Sequence, residues 1–265
     1  MDLEHASQCA ARAAEEAGQL LLSLYGSRDY QTKEDGSLQT VADVETEALL
    51  RDRLTKAIPG AGFLGEESTG LSPTGGLLWV CDPLDGTTNY VNGLPLWGIS
   101  IALLEDLTPL VGIVHLPFWG ETISAVQGKG ALCDGERVRV RVASGGHFSD
   151  IYTFCSYRSN KFVCNLPGNV RAFGSTVYHI AQFVRGRTVG GWEMGAKVWD
   201  IAAGILLVQE AGGIVRSTEG KDLLDVLEEE EDLRLPTFSC MFASSQTVYE
   251  LMYEDMVRSH ADYVL

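Results

Sequence analysis

The residues best suited to chemistry are densest at Asp82-Pro83-Leu84-Asp85-Gly86-Thr87-Thr88. The apolar run Leu77-Leu78-Trp79-Val80-Cys81 reads as a strand buried on both faces, and it delivers Asp82 to a sheet edge. Pro83 fixes its own φ and holds Asp82 extended. Asp85 follows across a tight turn. Two carboxylates so close repel each other, and the pair suits a hard divalent cation. Gly86 admits a close backbone approach. The Gly86 and Thr87 N–H groups suit a phosphate, and the Thr87 hydroxyl suits a water. An Asx-type turn at a strand end accounts for the same string without any ligand.

Two further strings carry carboxylates. Gly65-Glu66-Glu67-Ser68 ends a short strand and offers a carboxylate to a metal, although solvated Glu-Glu pairs are common. Asp200, in Trp199-Asp200-Ile201-Ala202-Ala203-Gly204, stands where a helix begins. It reads as an N-cap, or as cap and ligand together, and the small residues after it allow close packing. His115, His147 and His179 lie in or beside apolar segments and read as packed, hydrogen-bonded histidines; His5 and His260 read as exposed near the termini. No G-x-S-x-G or Walker string occurs, which argues against a serine hydrolase of that type and against a P-loop nucleotide fold.

The elements that must position these residues follow from periodicity and breakers. Helical spacing predicts helices over 3–25, 43–58, 174–185, 200–211 and 246–258. Strands are predicted over 61–66, 77–81, 98–104, 110–116, 121–127, 151–156, 188–193, 213–217 and 239–244. Residues 31–40 are polar and turn-rich, with Asp35-Gly36 at the tip of a hairpin. Loops are predicted over 68–76 and 157–170, and turns at 128–130 and 134–135. The run 222–232 holds seven acidic residues and reads as a solvated helix or loop. This alternation implies layered α/β or α+β packing.

The 265 residues suit one domain with two joined halves, about 1–145 and 146–265. The net charge of −16 disfavours nucleic acid and anionic membranes as partners. It also repels a free phosphate ester, unless bound divalent cations reverse the sign locally. The six cysteines form no C-x-x-C pair and read as reduced thiols, which suits a cytoplasmic protein. The N-terminus does not read as a signal peptide, and no run of about 18 apolar residues predicts a membrane span.

The strings Trp79–Asn89 and Trp199–Gly213, with Gly65-Glu66-Glu67-Ser68 upstream, resemble the inositol monophosphatase family of lithium-sensitive, magnesium-dependent phosphatases. The resemblance covers nearly the whole chain and implies a layered α-β-α-β-α sandwich and a homodimer. It further implies that Glu66, Asp82, the Leu84 carbonyl, Asp85 and Asp200 hold two or three Mg²⁺ ions, as in two-metal phosphoester chemistry. Glu66 and Thr87 would help to activate a water, with Asp43 supporting Thr87. Asp85, Gly86, Thr87, Ser175, Thr176, Glu193 and Asp200 would line the substrate site, Glu193 taking a hydroxyl of the alcohol portion. Lys33 lies one residue off the family spacing, so no role is carried to it.

The activity so implied is hydrolysis of a small phosphorylated metabolite, inositol monophosphate first. Fructose 1,6-bisphosphate, histidinol phosphate and 3′-phosphoadenosine 5′-phosphate are the rival substrates. A non-catalytic regulatory or binding protein on the same fold is the alternative of a different class.

Overall fold

The computed structural model describes residues 1–26, 29–33, 36–67, 76–155, 166–229, 232–234 and 236–261. Helix α1 (Leu3–Leu24) starts on Asp2, whose side chain accepts the His5 N–H, and buries a stripe of Ala6, Ala10, Ala13, Ala14, Ala17 and Leu21. The expected hairpin is present as β1 (Tyr30–Thr32) and β2 (Leu38–Thr40), with Gly36 left-handed at its tip and Asp35 outside the described residues. Helix α2 (Val41–Ala57) begins two residues before the predicted start, because Thr40 caps it and Asp43 closes a capping box from the third helical position.

A seven-stranded sheet follows in the order β3-β4-β5-β6-β7-β8-β9, parallel between β3 and β4 and antiparallel elsewhere. Its strands are β3 (Gly62–Gly65), β4 (Leu77–Asp85), β5 (Gly98–Glu105), β6 (Thr108–Leu116), β7 (Glu121–Val126), β8 (Gly130–Cys133) and β9 (Glu136–Val138). The last two were not predicted as strands. They pair about Asp134 and Gly135, both at positive φ, which is the backbone of a tight hairpin turn. The short helix α3 (Thr87–Val91), also not predicted, follows β4 after left-handed Gly86.

A five-stranded sheet takes the order β11-β10-β12-β14-β13. Its strands are β10 (Ile151–Phe154), β11 (Asn169–Arg171), β12 (Gly190–Ala196), β13 (Ile214–Ser217) and β14 (Phe238–Ala243). Part of the predicted loop over 157–170 lies outside the described residues, and its end instead forms β11, which pairs with β10. Helices α4 (Thr176–Val184), α5 (Val198–Glu210), α6 (Leu223–Glu228) and α7 (Gln246–Ala261) complete the chain. In the acidic run, α6 buries Leu223 and Leu227, so only part of that segment is solvated.

The layers follow from alternating burial. In β4, Trp79 and Cys81 pack with α1 and α2, while Leu78 and Val80 pack with α4 and α5. In β14, Cys240 and Phe242 join that same middle core, while Met241 and Ala243 face Val248 and Met252 of α7. The result is α1–α2, sheet, α4–α5, sheet, α7: the five-layer α-β-α-β-α sandwich, confirming the expected fold. The small residues matter at the middle layer. A Cβ on Gly112 of β6 would stand 2.8 Å from the Ala203 carbonyl oxygen, and one on Gly204 would meet Ile180. That close approach seats α5, and with it Asp200, against the first sheet.

Candidate active site

Residues Asp82 and Asp85 are three apart, a spacing that puts side chains on opposite faces of a regular strand. The pairing of β4 with β5 shifts register between them, since Asp82 lies opposite Ser100 and Asp85 opposite Gly98. The extra residue of this bulge returns both carboxylates to one side. It also gives Pro83 a place in a strand flanked on both sides, where a missing N–H would otherwise break the ladder. β4 therefore runs past the predicted end at Cys81, through the whole of Asp82–Asp85.

The third carboxylate arrives from far away. Asp200 occupies the third position of α5, not the N-cap, and accepts the Lys197 N–H at 2.8 Å. Ligand atoms of Asp82, Asp85 and Asp200 all lie within 4.8 Å of one another. Each is held in place: Asp82 accepts the Leu84 N–H at 2.8 Å, and Asp85 accepts the Val177 N–H at 2.7 Å and the Ser175 hydroxyl. Burial, then the neighbouring carboxylates, push Asp82 and Asp200 well above the ordinary carboxylate range, and burial lifts Asp85 to about 6. One buried and two half-buried carboxylates that raise one another's proton affinity form a donor set that a divalent cation fits.

Glu66 stands outside this group of three but near enough for its charge to bear on Asp82 and Asp200, and the β3–β4 pairing holds it there, its N–H donating to the Cys81 carbonyl at 3.3 Å. Burial lifts its carboxyl to about 7. Lys33, left without a role on spacing, donates to Glu66 at 2.7 Å and to Glu67 at 2.8 Å. Burial opposes its charge, but the two glutamates outweigh that and hold the ammonium above its ordinary value. Glu47 on α2 accepts the Glu67 N–H at 2.6 Å, and it fills the space where a side chain at Gly65 would stand. Ser68 lies outside the described residues.

Thr87 stands beside the cluster with its hydroxyl 3.0 Å from the Leu84 carbonyl and 3.2 Å from Asp43 Oδ1. Asp43 also accepts the Thr40 N–H at 2.8 Å and the Thr40 hydroxyl at 2.5 Å. Asp43, which closes the capping box of α2 with Thr40, is thus also the residue that orients Thr87. Gly86 has φ 92°, and an added Cβ would stand 3.0 Å from the Leu96 carbonyl, so glycine is required there.

The carboxylates open onto a cavity of about 280 Å³. Asp85 and Asp200 line it together with Ser175, Thr176, His179, Glu193, Cys155 and Met194. Glu193 is buried on β12 and accepts from Thr176 Oγ1 at 2.9 Å and from His179 Nδ1 at 2.6 Å. His179 is packed and hydrogen-bonded as expected, and its partner is Glu193. The helical spacing from Thr176 to His179 was the available signal, since residues three apart share a helix face. Nothing in the sequence paired that face with Glu193. His115 is a packed histidine, hydrogen-bonded to Thr122 at 2.9 Å, with burial pushing it down to about 4.

Fold and site define a phosphatase class in which acidic side chains from distant segments gather at one cavity. The profile of the inositol monophosphatase family matches residues 2–261, and the chain belongs to that family. It is similar to the fructose-1,6-bisphosphatase/inositol-1-monophosphatase of Thermotoga maritima, 34% identical over 77% of this chain and 82% of that protein. It is similar to the Nus factor SuhB of Escherichia coli K12, 34% identical over 80% of this chain and 84% of that protein. The solved structure of the IMPase from Thermotoga maritima superposes with a TM-score of 0.83 at 28% identity, covering 95% of this chain and 96% of that one. Among the described residues, no helix is long and apolar enough to cross a membrane.

Proposed function

We propose that this chain hydrolyses inositol monophosphate, or a closely similar polyol phosphate, with two or three Mg²⁺ ions held by Glu66, Asp82, the Leu84 carbonyl, Asp85 and Asp200. The observation that carries this reading is the convergence of Asp82, Asp85 and Asp200 within 4.8 Å at a cavity that also holds Glu193. Bound Mg²⁺ would supply charge neutralisation of the ester phosphate and a more acidic water. The chain's own groups do the rest. Thr87, its proton directed to Asp43 or the Leu84 carbonyl, leaves an oxygen lone pair to accept from the attacking water and orient it. Glu66, with its carboxyl near neutrality, is suited to take the proton that water loses. Gly86 and Thr87 N–H groups face no helical partner at the start of α3 and suit the phosphate oxygens. Glu193 reads the alcohol.

We further assign a cytoplasmic homodimer built of single-domain chains, without nucleic acid as ligand. The exposed Leu94, Phe118 and Trp119 give such a dimer an apolar surface to bury. The likeness to a relative named as a Nus factor supports a second reading, a regulatory protein that retains the fold. One experiment separates them: phosphate release from inositol 1-phosphate, fructose 1,6-bisphosphate, histidinol phosphate and 3′-phosphoadenosine 5′-phosphate, with Mg²⁺ and with added Li⁺. Fastest release from the inositol ester, inhibited by Li⁺, is expected. No release from any ester at millimolar Mg²⁺ overturns the catalytic reading in favour of the regulatory one.

A further inference from the structure

The cavity's alcohol end has a hydrogen-bond order that can be read atom by atom. His179 Nε2 lies 2.9 Å from the Phe173 N–H, and a backbone amide can only donate. Nε2 is therefore the unprotonated nitrogen, and the ring is the neutral tautomer with its proton on Nδ1. That proton points at Glu193 Oε1, 2.6 Å away. The Thr176 hydroxyl donates to the other oxygen at 2.9 Å. His179 is thus the donor and Glu193 the acceptor of this bond. Each carboxylate oxygen retains an unused lone pair, and Glu193 lines the cavity.

We propose that His179 is a positioning residue that sets substrate selectivity, holding Glu193 so that the cavity accepts phosphate esters whose alcohol portion presents a hydroxyl donor. The inference rests on the phosphatase reading and deepens it. A carboxylate can only accept, so it rewards a polyol and gives nothing to an alcohol without further hydroxyls. Its side chain has several rotamers, and a fixed one is needed for such reward. His179 supplies that fixation from a rigid place. It is on α4, its ring rests against Phe173 at 5.6 Å, and the Phe173 N–H clamps its far nitrogen. Cys155 and Met194 also line the cavity and offer an alcohol weaker hydrogen-bonding side chains than the carboxylate does.

The two ring nitrogens have separable duties, and two substitutions separate them. Asn places an amide nitrogen where Nδ1 stands and keeps the bond to Glu193. Gln places its amide where Nε2 stands and keeps only the bond to Phe173. The readout is the ratio of kcat/KM for inositol 1-phosphate to kcat/KM for p-nitrophenyl phosphate, whose alcohol has no second hydroxyl. The ratio cancels losses of folded protein or of metal. His179→Gln is expected to lower the ratio on the order of tenfold to a hundredfold, the effect of losing a hydrogen bond to a charged group. His179→Asn is expected to keep it near the wild-type value. A ratio unmoved in both variants, lowered equally in both, or kept by Gln and lost by Asn overturns the inference while the phosphatase reading stands. Release of phosphate from neither ester by the wild-type protein overturns both.

Discussion

Ser175 Oγ donates to Asp85 Oδ2 across 90 positions of sequence, while the same oxygen accepts the Tyr178 N–H at 3.0 Å. One hydroxyl thus caps α4 and fixes a carboxylate on β4, joining the second half of the chain to the first. Ser175→Ala should remove both bonds. The helix cap is worth roughly 1 kcal/mol, so a small fall in Tm is expected. The larger effect should be on the Mg²⁺ requirement, since Asp85 would lose an orienting partner, a change typically costing about 10- to 100-fold in metal affinity or activity. Activity against Mg²⁺ concentration reads this directly, and Ser175→Thr should recover most of it.

Thr87→Ala tests the Thr87–Asp43 pair. The hydroxyl is assigned to the attacking water, so kcat should fall by about 10²- to 10⁴-fold with little change in KM. Thr87→Ser keeps the hydroxyl and should lie between. A rise in KM alone would place Thr87 in binding rather than in chemistry. Steady-state kinetics on any accepted ester suffices.

The carboxylate cluster sets the sign of a pH effect on stability. Folding raises Glu66 to about 7 and Asp85 to about 6, and raises Asp82 and Asp200 well above the ordinary carboxylate range. Raised carboxyls make the native state bind more protons than the unfolded chain, so stability falls as pH rises through the folded values. The contribution is full below the unfolded values near pH 4 and is lost between about pH 5 and pH 8. His115 runs the other way, contributing at higher pH and losing its contribution as pH falls toward about 4. The Tm of chelator-treated protein should therefore decline from pH 6 to pH 8, and millimolar Mg²⁺ should reverse the decline.

Asp200→Asn should separate stability from function. It removes one charge from three that repel, so chelator-treated protein at pH 8 should melt higher than wild type, by a few degrees for each kcal/mol gained. Phosphate release should be abolished. Asp85→Asn should likewise abolish release, with a smaller gain in Tm because Asp85 also accepts from Val177 and Ser175. A lower Tm for Asp200→Asn would mean that its cap-like bond to Lys197 outweighs the repulsion.

Gly112→Ala should act on the site from a distance. Its Cβ would press on the backbone oxygen of Ala203, which cannot rotate away. Overpacking of this kind costs about 1–3 kcal/mol. Because α5 carries Asp200, Mg²⁺ affinity should weaken along with Tm. A lower Tm with unchanged Mg²⁺ titration would show that α5 absorbs the shift without moving Asp200.

Much of the site was legible because its parts are local. The buried strand that delivers Asp82 and the glycine at 86 are each decided by neighbours a few residues away. The continuous apolar run of β4 likewise predicted a strand covered on both faces. The strands β8 and β9, the latter at the sheet edge, escaped notice because they are short and only Ala131 among them is buried, which leaves little alternation to read.

By itself, the sequence determined which carboxylates exist, which helices and strands carry them, and the family to which the chain belongs. Only the tertiary structure decided that Asp82 and Asp85 share a face, since the bulge is a property of how β4 pairs with β5. It alone paired Lys33 with Glu66 and His179 with Glu193, and it alone seated Asp200 beside them. The physical reason is the range of the interactions. Caps and periodicity act over a turn or a strand, whereas these pairings join segments whose approach is set by close packing of small residues between layers.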